Sequence, residues 1–173
     1  MSEVKKLAIL WAPWRIKYIE SPRTETCIFC IGEEVAKDRE NLVVYRGVKS
    51  FIIMNKYPYN TGHLMVAPYR HVGDILDLME DELLDLVRNV NLSVRLLRET
   101  LKPEGFNIGI NMGRVAGAGV EDHLHIHIVP RWAGDTNFMP TIAQVKVLPE
   151  LLESTYDKLR STLLKLLKGR SPQ

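Results

Sequence analysis

The sequence predicts an α+β fold in which a mostly antiparallel sheet of about five strands is combined with a long helix and a C-terminal helix. Three apolar, strand-like runs come first, and a long stretch with helical periodicity follows them. Two more strand-like runs and a second amphipathic stretch complete the order. This succession places the long helix between strands and the second helix at the end of the chain.

The three predicted strands of the first group lie between residues 42 and 68. Residues 42–46 and 49–55 are apolar runs with β-branched and aromatic residues, and the Gly47 turn between them indicates a hairpin. Residues 63–68 form the predicted third strand, which follows three turn-forming residues: Pro58, Asn60 and Gly62.

The long helix is predicted over residues 80–102, with acids in its first turn and bases toward its end. Pro103 and Gly105 end it. Its apolar residues recur at helical spacing: Leu83, Leu86, Val87, Val90, Val94, Leu97 and Leu101.

Two further strands are predicted at residues 106–112 and 123–129, on either side of a glycine-rich segment at 113–119. The last helix is predicted from four residues at helical spacing: Leu152, Tyr156, Leu159 and Leu163.

The composition predicts one compact domain, since 173 residues that are 46% hydrophobic can bury a substantial core. Within it we distinguish an irregular N-terminal arm (1–40), a central region (41–140) that holds the predicted strands and the long helix, and a C-terminal helical extension (141–173). The 23 basic and 21 acidic residues are scattered, so neither a nucleic acid nor a membrane is indicated as a partner. The apolar stretch 7–12 is too short for a signal peptide, and we expect a cytoplasmic protein.

Three of the five histidines alternate with apolar residues in the predicted last strand: His123, His125 and His127. Side chains two residues apart share a face of a strand, so the three imidazoles line one side and Leu124, Ile126 and Ile128 the other. A catalytic site is one explanation of this pattern. A chance histidine-rich surface strand and a metal-binding ladder are two others.

A glycine-rich stretch lies just before these histidines, at residues 107–119. Glycines let backbone amides approach a ligand closely, and such amides bind phosphate oxygens. Most glycine clusters are plain loops, but this position next to three histidines indicates a phosphate site.

The run Gly62-His63-Leu64, followed after a helix by the three alternating histidines, resembles the histidine triad family. The resemblance covers roughly residues 27–140 and implies a fold like that of the family. Three flanking segments resemble the diadenosine tetraphosphate phosphorylase branch: residues 11–15, 55–62 and 131–138.

The resemblance implies an enzyme that cleaves diadenosine polyphosphates at the α-phosphorus through a nucleotidyl group held covalently on His125. Phosphate is the favoured acceptor, which gives ADP and ATP. Three alternatives stay open: a dinucleoside polyphosphate or nucleoside phosphoramidate hydrolase that uses water, a nucleotide-binding module with vestigial catalysis, and a zinc-dependent interaction protein.

The same resemblance implies roles for other residues. His127 would donate a hydrogen bond to a phosphoryl oxygen or help to protonate the departing phosphate, and His63 would support these residues from the neighbouring strand. Asn55 is expected near the sugar, although a turn role is equally compatible with its position, and Asn111 is expected near the phosphate. The candidate donors to the phosphate oxygens are backbone amides of the glycine-rich loop: Gly117, Gly119 and Val120.

The pair Cys27-Ile28-Phe29-Cys30 is compatible with a redox site, half of a zinc site or a coincidence. No strand precedes the pair, which argues against a thioredoxin-like redox site. The resemblance implies that His71 and His123 complete a structural zinc site with the two cysteines. It also implies a homodimer or tetramer in which sheets join edge to edge.

Overall fold

The structure, a computed structural model, describes residues 27–136 and 148–169. Its five strands form one antiparallel sheet in the order β1-β2-β3-β5-β4. The strands are β1 (Val43–Arg46), β2 (Ser50–Met54), β3 (Leu64–Pro68), β4 (Gly105–Ile110) and β5 (Ile126–Arg131), and the helices are α1 (Glu80–Leu101) and α2 (Leu152–Lys168). The predicted α+β fold is confirmed.

The β1–β2 hairpin turns at Gly47, as the sequence predicts. The Gly47 N–H donates to the Ser50 carbonyl at 2.8 Å. A Cβ at Gly47 would lie 2.4 Å from Asn89 Nδ2 and 2.7 Å from the Ser50 oxygen. Glycine is therefore required here because α1 packs directly against the turn.

The strand order brings the histidines together. β5 lies between β3 and β4, and His127 is the register partner of Met65 in β3 and of Gly109 in β4. His63 immediately precedes β3, so its side chain lies beside that of His127 although the two residues are far apart in sequence.

The sheet buries both faces. On one face, α1 and α2 cover a core that contains Leu124 and Ile128, with Ile126 packed against it. On the other face, the chain around the two cysteines covers a smaller cluster: Phe29, Val43, Phe51, Ile53, Met65 and Ala67. The predicted alternation along the histidine strand is confirmed, since its apolar residues face the helices.

The buried face of α1 differs from the prediction in its first half. Leu83 and Val87 are exposed, whereas Asp85 and Asn89 are buried. The reason is the hairpin turn: Asp85 accepts from the Lys49 N–H at 2.9 Å, so polar side chains face that part of the sheet. Further along, Leu92 and Leu96 enter the core as well.

The last strand also begins later than predicted, at Ile126 instead of residue 123. The Leu124 N–H donates to the Val72 carbonyl at 2.6 Å. The chain before Ile126 therefore lies against the loop after β3, and this contact brings His71 close to His123.

The described part of the N-terminal arm contains the cysteine turn and a short 3-10 helix at Val35–Lys37. The flank at 11–15 and residues 137–138 lie outside the described residues. None of the described helices is long and apolar enough to span a bilayer.

Candidate active site and metal site

The histidines predicted to be catalytic form one contiguous group. The ring centroids of His125 and His127 lie 4.8 Å apart, and those of His63 and His127 lie 5.1 Å apart. His63 and His125 are buried, whereas His127 is partly exposed. His127 is thus the member of the group that is most open to solvent.

Hydrogen bonds to the backbone assign the proton of His63. The Tyr59 N–H lies 3.1 Å from His63 Nδ1, and a backbone N–H can only donate, so Nδ1 is the acceptor. Neutral His63 then carries its proton on Nε2, which lies 3.0 Å from His127 Nδ1. His63 donates to His127, and neutral His127 carries its own proton on Nε2.

The same reasoning assigns the proton of His125. Its Nδ1 lies 2.9 Å from the His123 carbonyl oxygen, which can only accept. The proton is therefore on Nδ1, and Nε2 of the neutral ring carries a lone pair. An imidazole nitrogen in this state is a nucleophile.

Burial favours the neutral form of the His63 and His125 rings. Burial is the main reason that the pKa of His63 is lowered to about 3, and the nearby His127 and His125 contribute to this shift because a second positive charge is unfavourable beside them. Burial also lowers the pKa of His125, although the hydrogen bond to the His123 carbonyl opposes the shift. The lone pair of His125 is consequently present below the pH at which an exposed histidine protonates.

Four residues form a group able to hold a metal ion: Cys27, Cys30, His71 and His123. His123 Nε2 lies 2.9 Å from the Pro68 carbonyl, so it carries the proton and Nδ1 is left to bind a metal. His123 Nδ1 lies 3.4 Å from Cys27 Sγ, 3.8 Å from Cys30 Sγ and 3.2 Å from His71 Nδ1.

These separations suit a tetrahedral ion. Zinc–ligand bonds of about 2.0–2.3 Å imply ligand atoms roughly 3.3–3.8 Å apart in a tetrahedron. The distance between Cys30 Sγ and His71 Nδ1 is 3.3 Å, and all four ligand atoms lie within 4.8 Å of one another. The structure therefore brings together the four predicted ligands in an arrangement that fits a metal with no position left for water.

The glycine-rich loop uses some of its amides internally. The Gly117 N–H donates to the Arg114 carbonyl at 3.0 Å, and Gly117 adopts a positive φ that favours glycine. Within the part of the chain that the structure describes, the N–H groups of Gly119 and Val120 have no such partner. Phosphate binding by this loop stays a prediction that now depends mainly on those two amides.

The two asparagines lie at strand ends. Asn55 follows β2, and its Oδ1 accepts from the Tyr57 N–H at 2.8 Å, which is the turn role that the sequence left open. Asn111 follows β4 and is partly exposed. Sugar binding by Asn55 and phosphate binding by Asn111 stay predictions.

The comparison with family models decides the family. Residues 36–134 match the model of the HIT domain, and this range includes the triad and His71. The chain belongs to the histidine triad family.

Similar histidine triad proteins cover most of the chain. An AP-4-A phosphorylase of Mycobacterium tuberculosis is 39% identical over 158 residues, which are 87% of this chain and 81% of that protein. A bis(5'-nucleosyl)-tetraphosphatase (asymmetrical) of Schizosaccharomyces pombe is 37% identical, over 54% of this chain and 50% of that protein. The crystal structure of a zinc-bound histidine triad protein from Mycobacterium smegmatis matches with a TM-score of 0.65 and 26% identity, over 84% of this chain and 98% of that one.

Sequence analysis missed residues that hold this histidine triad site in place. Asn60 is buried, and its Nδ2 donates to the Pro130 carbonyl at 3.1 Å and to Asp135 Oδ2 at 2.8 Å. These bonds tie the turn before His63 to the end of β5. Phe29, the aromatic residue between the two cysteines, contacts the His125 ring. The sequence signal that could have identified Phe29 was its position, as an aromatic residue, between two predicted metal ligands.

Proposed function

We propose that this chain cleaves diadenosine polyphosphates such as diadenosine tetraphosphate at the α-phosphorus and transfers the adenylyl group to phosphate. The observation that carries the proposal is the hydrogen bond from His125 Nδ1 to the His123 carbonyl, because it leaves a lone pair on Nε2 of a buried, neutral imidazole. The similarity to an AP-4-A phosphorylase over most of both chains supports the choice of substrate.

In the first step, the Nε2 lone pair of His125 attacks the α-phosphorus. A phosphorus–nitrogen bond forms, the bond to the bridging oxygen breaks, and ATP leaves. The ring acquires a positive charge while it keeps its Nδ1 proton, and the His123 carbonyl stabilises that charge. The His127 Nε2–H donates a hydrogen bond to a phosphoryl or departing oxygen, and His63 keeps His127 in the tautomer that can donate.

In the second step, an oxygen of inorganic phosphate attacks the same phosphorus. The phosphorus–nitrogen bond breaks, its electron pair returns to His125 Nε2, and ADP is released. The two steps require no net change in the protons of the triad. Water in place of phosphate would release AMP, so the acceptor alone decides between phosphorylase and hydrolase.

Other groups would bind the substrate. The amides of Gly119 and Val120, with that of Gly117 if the loop rearranges, would donate to the phosphate oxygens that gain charge in the transition state. Asn111 would lie near the same oxygens and Asn55 near the sugar.

We also propose that the metal of the Cys27, Cys30, His71 and His123 group is a structural zinc ion. Two thiolates and two imidazoles are a ligand set that zinc prefers, and the zinc-bound relative from M. smegmatis supports the assignment. When bound, the ion would cross-link the cysteine turn to the chain just before β5.

The experiment incubates purified protein with diadenosine tetraphosphate, with and without inorganic phosphate, and separates the products. We expect ADP and ATP only when phosphate is present, and no turnover by His125→Ala. A matched control, Asn91→Ala, removes an exposed side chain of α1 outside the site and should keep wild-type turnover.

The similarity to the S. pombe tetraphosphatase favours a second candidate, a hydrolase. A hydrolase would produce AMP and ATP both with and without inorganic phosphate. Equal turnover by His125→Ala and wild type would contradict the role of His125 in both candidates. No turnover by either protein would contradict both candidates and favour a nucleotide-binding module.

A further inference from the structure

Phe29 lies between the two cysteines, and only 1% of its surface is exposed. Its ring lies 4.6 Å from that of His125, centroid to centroid, with 28° between the planes, which is a stacked arrangement. It also lies 5.4 Å from the His123 ring. One buried aromatic ring thus contacts both a candidate metal ligand and the candidate nucleophile.

The turn that carries Phe29 is closed by its flanking residues. The Cys30 N–H donates to the Cys27 carbonyl at 3.0 Å, and both thiols belong to the four-residue group able to hold a metal ion. The position of the Phe29 ring is therefore determined by a turn with anchors on both sides.

The His125 ring needs two restraints. The hydrogen bond from Nδ1 to the His123 carbonyl fixes one atom of the ring, but a single bond of this kind leaves the ring free to pivot about it. Contact between stacked faces restricts that pivot. Together they fix the direction of the Nε2 lone pair, on which attack at phosphorus depends.

We infer that Phe29 is a positioning residue for His125: it holds the imidazole plane so that Nε2 points at the α-phosphorus. This inference rests on the proposed function and adds a residue to it. Phe29 itself is too deeply buried to contact the substrate, so it acts through His125.

The competing explanation is that Phe29 only fills the core, and Phe51 offers a matched control. Phe51 is fully buried in the same cluster, but its ring partner is Tyr69, at 5.4 Å. Truncation of either phenylalanine to leucine removes similar apolar surface and should cost similar stability. Only Phe29→Leu removes a ring that stacks on His125.

The experiment compares wild type, Phe29→Leu and Phe51→Leu in three measurements. A rapid quench with diadenosine tetraphosphate gives the rate at which the nucleotidyl group appears on the protein. Equilibrium binding of AMP gives Kd, and NMR correlations between the ring protons and nitrogens of His125 give its tautomer without any turnover. Metal content is measured in each sample.

We expect Phe29→Leu to lower the rate about 10- to 100-fold, to change Kd for AMP by less than about twofold, and to broaden or split the His125 ring signals. Phe51→Leu should keep the rate and the signals of wild type. Phe29→Met takes the place of the leucine variant if the latter does not fold.

Equal rates and equal His125 signals in the two variants would overturn the inference, and so would a loss of rate that follows loss of metal. Absence of any nucleotidyl adduct in wild type would instead refute the proposed function, while the NMR comparison would still decide the role of Phe29.

Discussion

Backbone groups decide which nitrogen of each histidine carries the proton. The Tyr59 amide makes His63 Nδ1 an acceptor, and the His123 carbonyl makes His125 Nδ1 a donor. The alternation of residues predicted that the imidazoles share a face, but it contained no information about tautomers, because these depend on carbonyls and amides placed by the tertiary fold.

The depressed pKa of His63 predicts how stability changes with pH. The folded-state pKa is about 3 and the unfolded value is about 6.5, so between these values the unfolded state binds more protons and stability falls as pH is lowered. From pH 7 to pH 5 we expect His63 to account for a loss of about 2 kcal/mol in the free energy of unfolding.

Denaturant unfolding at pH 7 and pH 5 measures this loss in wild type and in His63→Leu. The range lies above the pH at which most carboxyl groups titrate, so the histidines dominate the change. Between pH 7 and pH 5, the free energy of unfolding of the variant should fall by about 2 kcal/mol less than that of wild type. An equal loss in both proteins would mean that His63 is not held neutral by burial.

The hairpin turn is tied to α1 by a buried polar group. Asp85 accepts from the Ser50 hydroxyl at 2.7 Å, and Asn89 Nδ2 donates to the same hydroxyl at 2.7 Å. Gly47→Ala would drive a methyl group into Asn89, and we expect a loss of about 1–3 kcal/mol in the free energy of unfolding.

A matched variant for this prediction is Gly105→Ala, at the start of β4, where an added Cβ meets nothing within 4 Å. Denaturant unfolding should show little change in that protein. A Gly47→Ala protein as stable as wild type would show that α1 does not pack tightly on the turn.

The cysteine turn and the chain before β5 should depend on each other through the metal. We expect a zinc chelator to lower the melting temperature of the wild-type protein by about 5–10 °C, because a ligand at about 100 times its Kd contributes about 2.7 kcal/mol. Cys30→Ser should melt at the lower temperature with or without chelator. A wild-type melting temperature that the chelator does not change would contradict the metal assignment.

The sequence predicts the order of the helices and strands well and their boundaries less well. Hydrophobic periodicity located both helices and all five strands. It misassigned Leu83 and Val87 because it cannot tell that the first half of α1 faces a polar turn. It also extended the last strand to His123, whose segment pairs with the loop at Val72 instead.

The two edge strands of the sheet, β1 and β4, differ in how they are covered. At β1, the Val43 carbonyl accepts from the Tyr156 hydroxyl and the Val44 carbonyl from Arg160, so α2 covers this edge. At β4, residues 107–109 are exposed. We propose that two copies of the chain join through β4, which would satisfy the backbone groups of an open edge.

Light scattering after size-exclusion chromatography tests this arrangement. We expect wild type to be a dimer or tetramer and Ile108→Lys, in the middle of β4, to dissociate. Val48→Lys introduces the same charge at an exposed turn and should leave the mass unchanged. Dissociation of the Val48 variant alone, or a monomeric wild type, would contradict association through β4.

Trapping of the covalent intermediate shows whether His125 Nε2 carries the nucleotidyl group. Protein is mixed with diadenosine tetraphosphate in the absence of phosphate, quenched in base to preserve a phosphorus–nitrogen bond, digested and analysed by mass spectrometry. We predict an added adenylyl group on the peptide that contains His125, and its loss when phosphate is supplied before the quench. An adenylyl group on another residue, or turnover to the expected products with an unmodified His125 at every time point, would show that His125 is not the nucleophile.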